Sequence, residues 1–244
     1  MKRRVLYIIL ALVLLFLWQF SASYNNIVRL LISSPLLVIN YFQLNYTDLL
    51  HATAITFFAA FSGLIIATIF SFLMMIVCFI KPKFMDFITP IMVTSQVIPL
   101  IVLAPFFIML LGIGITSKVA MASVISFFPV FINFAQGYKG ISQNIHELMM
   151  IYKAPLHFRI FKVYFPLSMP SIVAGMKISA TLSVIGAIVA EFSGAEIGLG
   201  KNLFISAIRL EPDLMMTSLI LSSSIGLILF GIVKLIEANT CKWQ

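Results

Sequence analysis

Residues 52–80 read ATAITFFAAFSGLIIATIFSFLMMIVCFI, 29 consecutive positions without an Asp, Glu, Lys or Arg. A helix needs roughly 20 apolar residues to cross about 30 Å of hydrocarbon. The stretch therefore predicts a transmembrane helix. Further charge-free runs occupy Val5–Ile27, Phe87–Ser117, Val119–Tyr138, Ile178–Ala190 and Leu214–Val233. The fifth reaches spanning length when read as Ser171–Ser193, with Lys177 snorkelling from near one end. The simplest count is six spans in a single unit, residues 1–244, with an N-terminal helix and outer segment over 1–50 and a core over 51–240.

Composition agrees with that reading. Of the 244 residues, 61% are apolar and 10% charged, with a mean hydropathy of +1.11. A soluble domain needs about a quarter of its residues charged to cover its core, so the bilayer is the main solvent here. Two cysteines, Cys78 ending an apolar run and Cys241 in the tail, form no disulfide framework. A net charge of +8 would suit a nucleic-acid binder, but its placement between apolar runs excludes that reading.

With the N-terminus inside and six crossings, twelve cations fall inside: Lys2, Arg3, Arg4, Lys81, Lys83, Lys139, Lys153, Arg159, Lys162, Lys177, Lys234 and Lys242. Arg29, Lys118, Lys201 and Arg209 fall outside. Cytoplasmic enrichment in Lys and Arg predicts both termini in the cytoplasm. The basic start followed by Val5–Phe20 and Ser-Ala-Ser at 21–23 also fits a cleavable signal peptide, although an even count of spans favours an uncleaved first helix.

The connections are unequal. Gly112–Lys118 is tight, whereas Gly140–Pro170 is long, polar and cationic. Within it Ile141, Ile145, Leu148 and Tyr152 share one face of a helix of about three turns, which Pro155 ends. Such a helix either lies on the membrane or docks into a soluble partner. Phe165-Pro166 and Met169-Pro170 add two rigid steps before the fifth span.

No catalytic constellation accompanies these features. Ala195–Asn202 superficially evokes a phosphate loop, but Ala195 and Asn202 replace the first Gly and the terminal Ser/Thr. His51, His146 and His157 stand apart from cysteines, and neighbours His146 and Glu147 point to different sides of a helix. Glu191 closes an apolar run, and an acid at that depth is either hydrated at the outer interface, bonded to backbone donors, or a gate residue. Gln96, beside Pro99 in a proline-broken helix, is a candidate to line a water-filled path. The Met pairs and 23 Phe read as packing and lipid-facing residues, with Met149 and Met150 also able to form an adaptable docking surface. A gradient-driven transporter would share the six spans, but neither an inverted repeat nor a buried ionisable relay is evident.

The segment Glu147-Leu-Met-Met-Ile-Tyr-Lys153-Ala154-Pro155, with Phe165-Pro166 beyond, resembles the EAA loop of type I ABC-importer permeases: Glu147, Ala154 and Pro166 stand at offsets 0, 7 and 19. Pro90, Pro99, Pro105, Gly112-Ile-Gly114, Phe127-Phe-Pro129, Asn133, Ile185–Phe192 and Gly198-Leu-Gly200 resemble the nitrate/sulfonate/taurine branch, and Ser34-Pro35 with Gly63 resembles its first third. Leu148 and Met149 replace the two alanines of the motif, and Lys153 replaces its Gly. The resemblance implies an all-α permease of the inner membrane that forms a homodimer and carries no cofactor of its own. A cytoplasmic ATPase would hold ATP and magnesium, and an extracytoplasmic solute-binding protein would deliver solute. It further implies that residues 139–170 form a coupling loop whose 141–153 helix meets the ATPase through Glu147, Leu148, Met149, Tyr152, Lys153 and Ala154, with Pro166 behind it. The pathway candidates are Gln96, Pro99 and Glu191. The same branch includes carriers of thiamine-pyrimidine precursors and riboflavin, and nothing in the chain chooses among these solutes.

Overall fold

The computed structural model describes residues 9, 10, 13, 16–20 and 32–240. The expected first span is described only at residues 9, 10, 13 and 16–20, all helical; the basic N-terminus, Arg29, Cys241 and Lys242 lie outside the described residues. Every regular element among the described residues is helical. Helix α1 (Pro35–Leu44) starts where Ser34 accepts the Leu37 N–H and Pro35 pre-sets the first turn.

Helix α2 (Tyr46–Ile80) follows after one residue. At 1.5 Å per residue its 35 residues extend about 52 Å, longer than the hydrocarbon is thick. It stops at Lys81-Pro82, because the residue before a proline is driven out of helical geometry. The proline-broken third span is two separate helices, Pro82–Ser95 (α3) and Leu100–Leu111 (α4). Pro99 divides them, having no N–H to continue the ladder and excluding helical geometry at Ile98.

Helix α5 (Ile115–Lys139) returns through the bundle, and α6 (Gln143–Ile151) is the short helix expected after it. Helix α7 runs continuously over Leu156–Phe192, so the expected 139–170 loop is shortened to about its first half. Instead of two extended X-Pro steps, the chain widens to π-helical bonding over Arg159–Tyr164, immediately before Pro166. Pro166 lacks the N–H that a regular helix would use there, and the wider turn absorbs the misfit. An amphipathic helix α8 (Leu199–Arg209) precedes α9 (Pro212–Thr240).

Helices α2, α5, α7 and α9 are each long and apolar enough to cross a membrane. Their centre is built from small residues, since in hydrocarbon helices associate by close packing rather than by escape from water. A Cβ on Gly186 would stand 2.7 Å from the Ala122 Cα, and one on Gly63 would overlap the Ala122 methyl, so Ala122 fixes how closely α2, α5 and α7 approach. Ser179 donates to the Ser126 carbonyl at 2.6 Å and Ser126 returns a bond to the Ser179 carbonyl at 3.3 Å. Lys177 does more than snorkel: its Nζ meets Glu237 Oε2 at 2.5 Å, pinning α9 to α7.

The path of the chain defines two ends. One carries α6, the C-termini of α2 and α5 and the start of α7; the other carries the α4–α5 turn, the end of α7 and α8. Lys81, Lys83, Lys139, Lys153, Arg159, Lys162 and Lys234 gather at the α6 end, and Asp48, Glu191, Glu196, Glu211 and Asp213 at the α8 end.

Candidate coupling and pathway sites

Helix α6 begins at Ser142 in extended geometry and ends in a Schellman turn: the Lys153 N–H bonds the Met150 carbonyl at 3.0 Å and the Ala154 N–H the Met149 carbonyl at 3.1 Å. Lys153 occupies the left-handed position of that motif at φ +47°. Glycine is favoured at this position because a side chain there collides with the following carbonyl, so a lysine here is strained.

The helix divides its residues differently from the expected single stripe. Ile141, Ile145, His146 and Met149 turn partly toward the bundle, while Glu147, Leu148, Ile151, Tyr152 and Lys153 turn away. Ile151 and Tyr152 are 76% and 74% exposed, and Leu148, Met150, Leu156 and Phe158 extend the same apolar surface. Ala154 and Pro166 are half-buried behind it. The four-residue spacing was legible in the sequence; which half of the stripe faces the bundle depends on the aromatic residues beneath.

Those residues were missed from the sequence. Tyr164 is buried, and its hydroxyl lies 3.2 Å from His146 Nδ1 and within 3.2–3.3 Å of Arg159 Nη2 and Nε. Burial first, and then the nearby Arg159 guanidinium, hold the His146 pKa below its ordinary value.

At the α8 end Glu191 is 1% exposed and Lys118 5%. Lys118 Nζ lies 3.3 Å from Glu191 Oε1 and also donates to the Ile197 carbonyl. The Thr56 hydroxyl lies 2.9 Å from both Glu191 oxygens, and the Gly200 N–H donates to Oε2 at 2.8 Å. The Leu199 N–H donates to Thr56 Oγ1 at 3.0 Å. One carboxylate thus joins α2, α5 and α7 to the positive N-terminus of α8. Gly198, at φ +150°, and Gly200 leave the space it fills: a Cβ on the first would overlap the carboxyl group, and one on the second would stand 2.7 Å from the Glu191 Cβ. In the sequence these glycines stood out only as part of an incomplete phosphate loop and of the family resemblance. Lys118 was read only as an exterior cation, because its pairing spans 73 positions.

Gln96 caps the end of α3 and Pro99 begins α4, both exposed. The structure does not bring them to Glu191 through any recorded bond. Between α2 and α5 runs an open apolar groove of about 680 Å³, bordered by Phe58, Ser62, Ile66, Phe70, Val119 and Ser123. It lies beside a second hollow of about 520 Å³, which shares Phe58 and Ile115 and reaches Lys118 and Glu196.

Residues 69–240 match the family described as binding-protein-dependent transport system inner membrane component. The chain is 28% identical to the formylaminopyrimidine transport permease protein ThiX of Halalkalibacterium halodurans, over 96% of this chain and 93% of that one. It is 30% identical to the riboflavin transport system permease protein RibX of Chloroflexus aurantiacus, over 64% and 59%. It is 25% identical to the putative aliphatic sulfonates transport permease protein SsuC of Bacillus subtilis, over 65% and 57%. The match covers the end of α2, the whole of α5, α7 and α9, the exposed helix α6, and Lys118, Glu191 and Gly200 of the buried site, with Thr56 lying before it. With the all-α, membrane-spanning architecture that carries them, this chain belongs to the family of binding-protein-dependent transport system inner membrane components, the permeases of ABC transporters.

Proposed function

We propose that the chain forms the transmembrane pathway of an ATP-driven importer, docks a separate cytoplasmic ATPase on α6, and receives a small solute from an extracytoplasmic binding protein. The observation that carries this reading is the outward face of α6: Leu148, Ile151 and Tyr152 present contiguous apolar surface beside Glu147 and Lys153. An exposed apolar patch rimmed by charge marks a protein or membrane interaction site, and the charges Glu147 and Lys153 beside it favour a protein partner. ATP and magnesium belong to that partner, which would close on ATP and displace α6, shifting the bundle between inward- and outward-open states.

The cation-rich α6 end supports a cytoplasmic placement of α6, and with it cytoplasmic termini in an inner membrane. The groove between α2 and α5 supports a homodimer with a second copy lying against it. Gln96 and Pro99 at the helix break, and Glu191 at the α8 end, remain the pathway candidates, Glu191 now as the bond that holds that end closed. The names of the relatives support a solute in the range of a thiamine-precursor pyrimidine, riboflavin or a sulfonate.

The deciding experiment is co-purification of the detergent-solubilised chain with candidate ATPase subunits. Wild type is expected to retain an ATPase, and Glu147→Arg combined with Leu148→Asp to lose it while remaining folded. Failure of every ATPase to associate with wild type would return α6 to the membrane surface and bring a gradient-driven transporter forward.

A further inference from the structure

Helix α6 has no fully buried residue. It is flanked by the Gly140 turn and by the left-handed Lys153. Ile141, just before it, packs on the bundle by apolar contact, which is non-directional. A directional joint passes a movement of α6 to the spanning helices as a defined displacement, and among the described residues the one side-chain hydrogen bond between α6 and the bundle is His146 to Tyr164.

Tyr164 sits where such a joint must be. Its ring belongs to α7 and packs at 5.8 Å against Phe79 of α2, 5.3 Å against Tyr138 of α5 and 5.0 Å against His146 of α6. Its hydroxyl accepts from both Arg159 Nε and Nη2, which occupies its lone pairs and leaves its own proton for His146 Nδ1. Arg159 also lies 5.7 Å from the centre of the Tyr164 ring. In a regular α-helix residues five apart are turned by about 140° from one another. The π-helical bonding of Arg159–Tyr164 instead brings the guanidinium alongside the ring. The irregularity in α7 and the hydrogen-bonded joint are the same feature.

We propose that Tyr164, oriented by Arg159 and bonded to His146, is the positioning residue through which α6 moves α7 together with the ends of α2 and α5. This rests on the reading of α6 as the ATPase-docking helix, and names how that docking is transmitted. Tyr164 and Arg159 lie outside the outward apolar face, so docking and transmission separate in experiment.

The test uses the reconstituted complex of permease, ATPase and binding protein, comparing wild type with Tyr164→Phe, which keeps the ring and removes the hydroxyl. ATPase co-purification is expected at the wild-type level, while solute taken up per ATP hydrolysed falls roughly tenfold, within the range by which residues on coupling networks alter coupling. Arg159→Met should give the same loss, and the double variant no more than either single one, because the groups act as a unit. Arg159→Met also serves if Tyr164→Phe does not fold. A wild-type uptake ratio in the folded variants overturns the proposal, as does loss of ATPase binding, which would make Tyr164 part of the docking surface. If wild type itself binds no ATPase, the docking reading fails first and the joint falls with it.

Discussion

Glu191 and Lys118 show how a charge is kept within a membrane bundle: each is nearly inaccessible, and each is satisfied by the other together with hydroxyl, N–H or carbonyl groups. Removing one partner of a buried pair leaves the other uncompensated, which costs about 3–5 kcal/mol, whereas removing both can be close to neutral. Lys118→Met is therefore expected to lower thermal stability in detergent sharply, and Lys118→Met with Glu191→Leu to recover more than half of the loss. An additive double variant would show that the pair contributes nothing as a pair. Glu191→Gln, which keeps the shape and loses the charge, is expected to assemble but to lose uptake; unchanged uptake would remove Glu191 from the pathway candidates.

Among the elements, α6 carries a local conflict between sequence and turn. Lys153 holds the left-handed position of the Schellman motif, where the family pattern has Gly. The strain of a non-glycine residue there is about 1–2 kcal/mol, partly offset by the larger entropy that Gly brings to the unfolded chain. Lys153→Gly is expected to stabilise the end of α6 by about 0.5–1 kcal/mol, seen as slower hydrogen exchange at the Lys153 and Ala154 amides. Faster exchange would mean that the lysine side chain makes a compensating contact. Strain of this kind clusters at active sites and switch regions, and this turn joins α6 to α7. The third span shows what the sequence left open about its break: three prolines were legible at 90, 99 and 105, but Pro90 and Pro105 are tolerated inside their helices and only Pro99 stands at the break.

For the whole molecule the distribution of charge is the strongest statement about orientation. Cations cluster at the α6 end and acids at the α8 end, and Lys and Arg are retained on the cytoplasmic side during insertion. In a cysteine-free background, a single cysteine at Ser142 is expected to react with an impermeant maleimide only after the cells are opened, and one at Gly194 to react in intact cells. The reverse pattern would invert the molecule and put α6 beyond the reach of a cytoplasmic ATPase. The same architecture explains why the closest helix approaches, around Ala122, are made by Ala, Gly and Ser, while Phe79, Phe131 and Phe134 fill the core nearer the α6 end. Lipid already solvates large apolar side chains, and Phe58, Phe70 and Phe106 are exposed while Ala59, Ala60 and Ala122 are fully buried.

What the sequence determined by itself are the properties that depend on composition and spacing along one segment. An uninterrupted charge-free run of 29 residues permits little but a spanning helix, the residue spacing around Glu147 predicts the short helix between spans, and the charges predict its side. Tertiary structure alone decided the pairing of distant groups. Lys118 with Glu191, Lys177 with Glu237, and Arg159 and His146 on one tyrosine hydroxyl are brought together only once α2, α5, α7 and α9 pack. The reason is physical: hydropathy and helical periodicity are summed over neighbours in the chain, whereas a buried polar group takes its partner from whichever helix passes within about 3 Å of it.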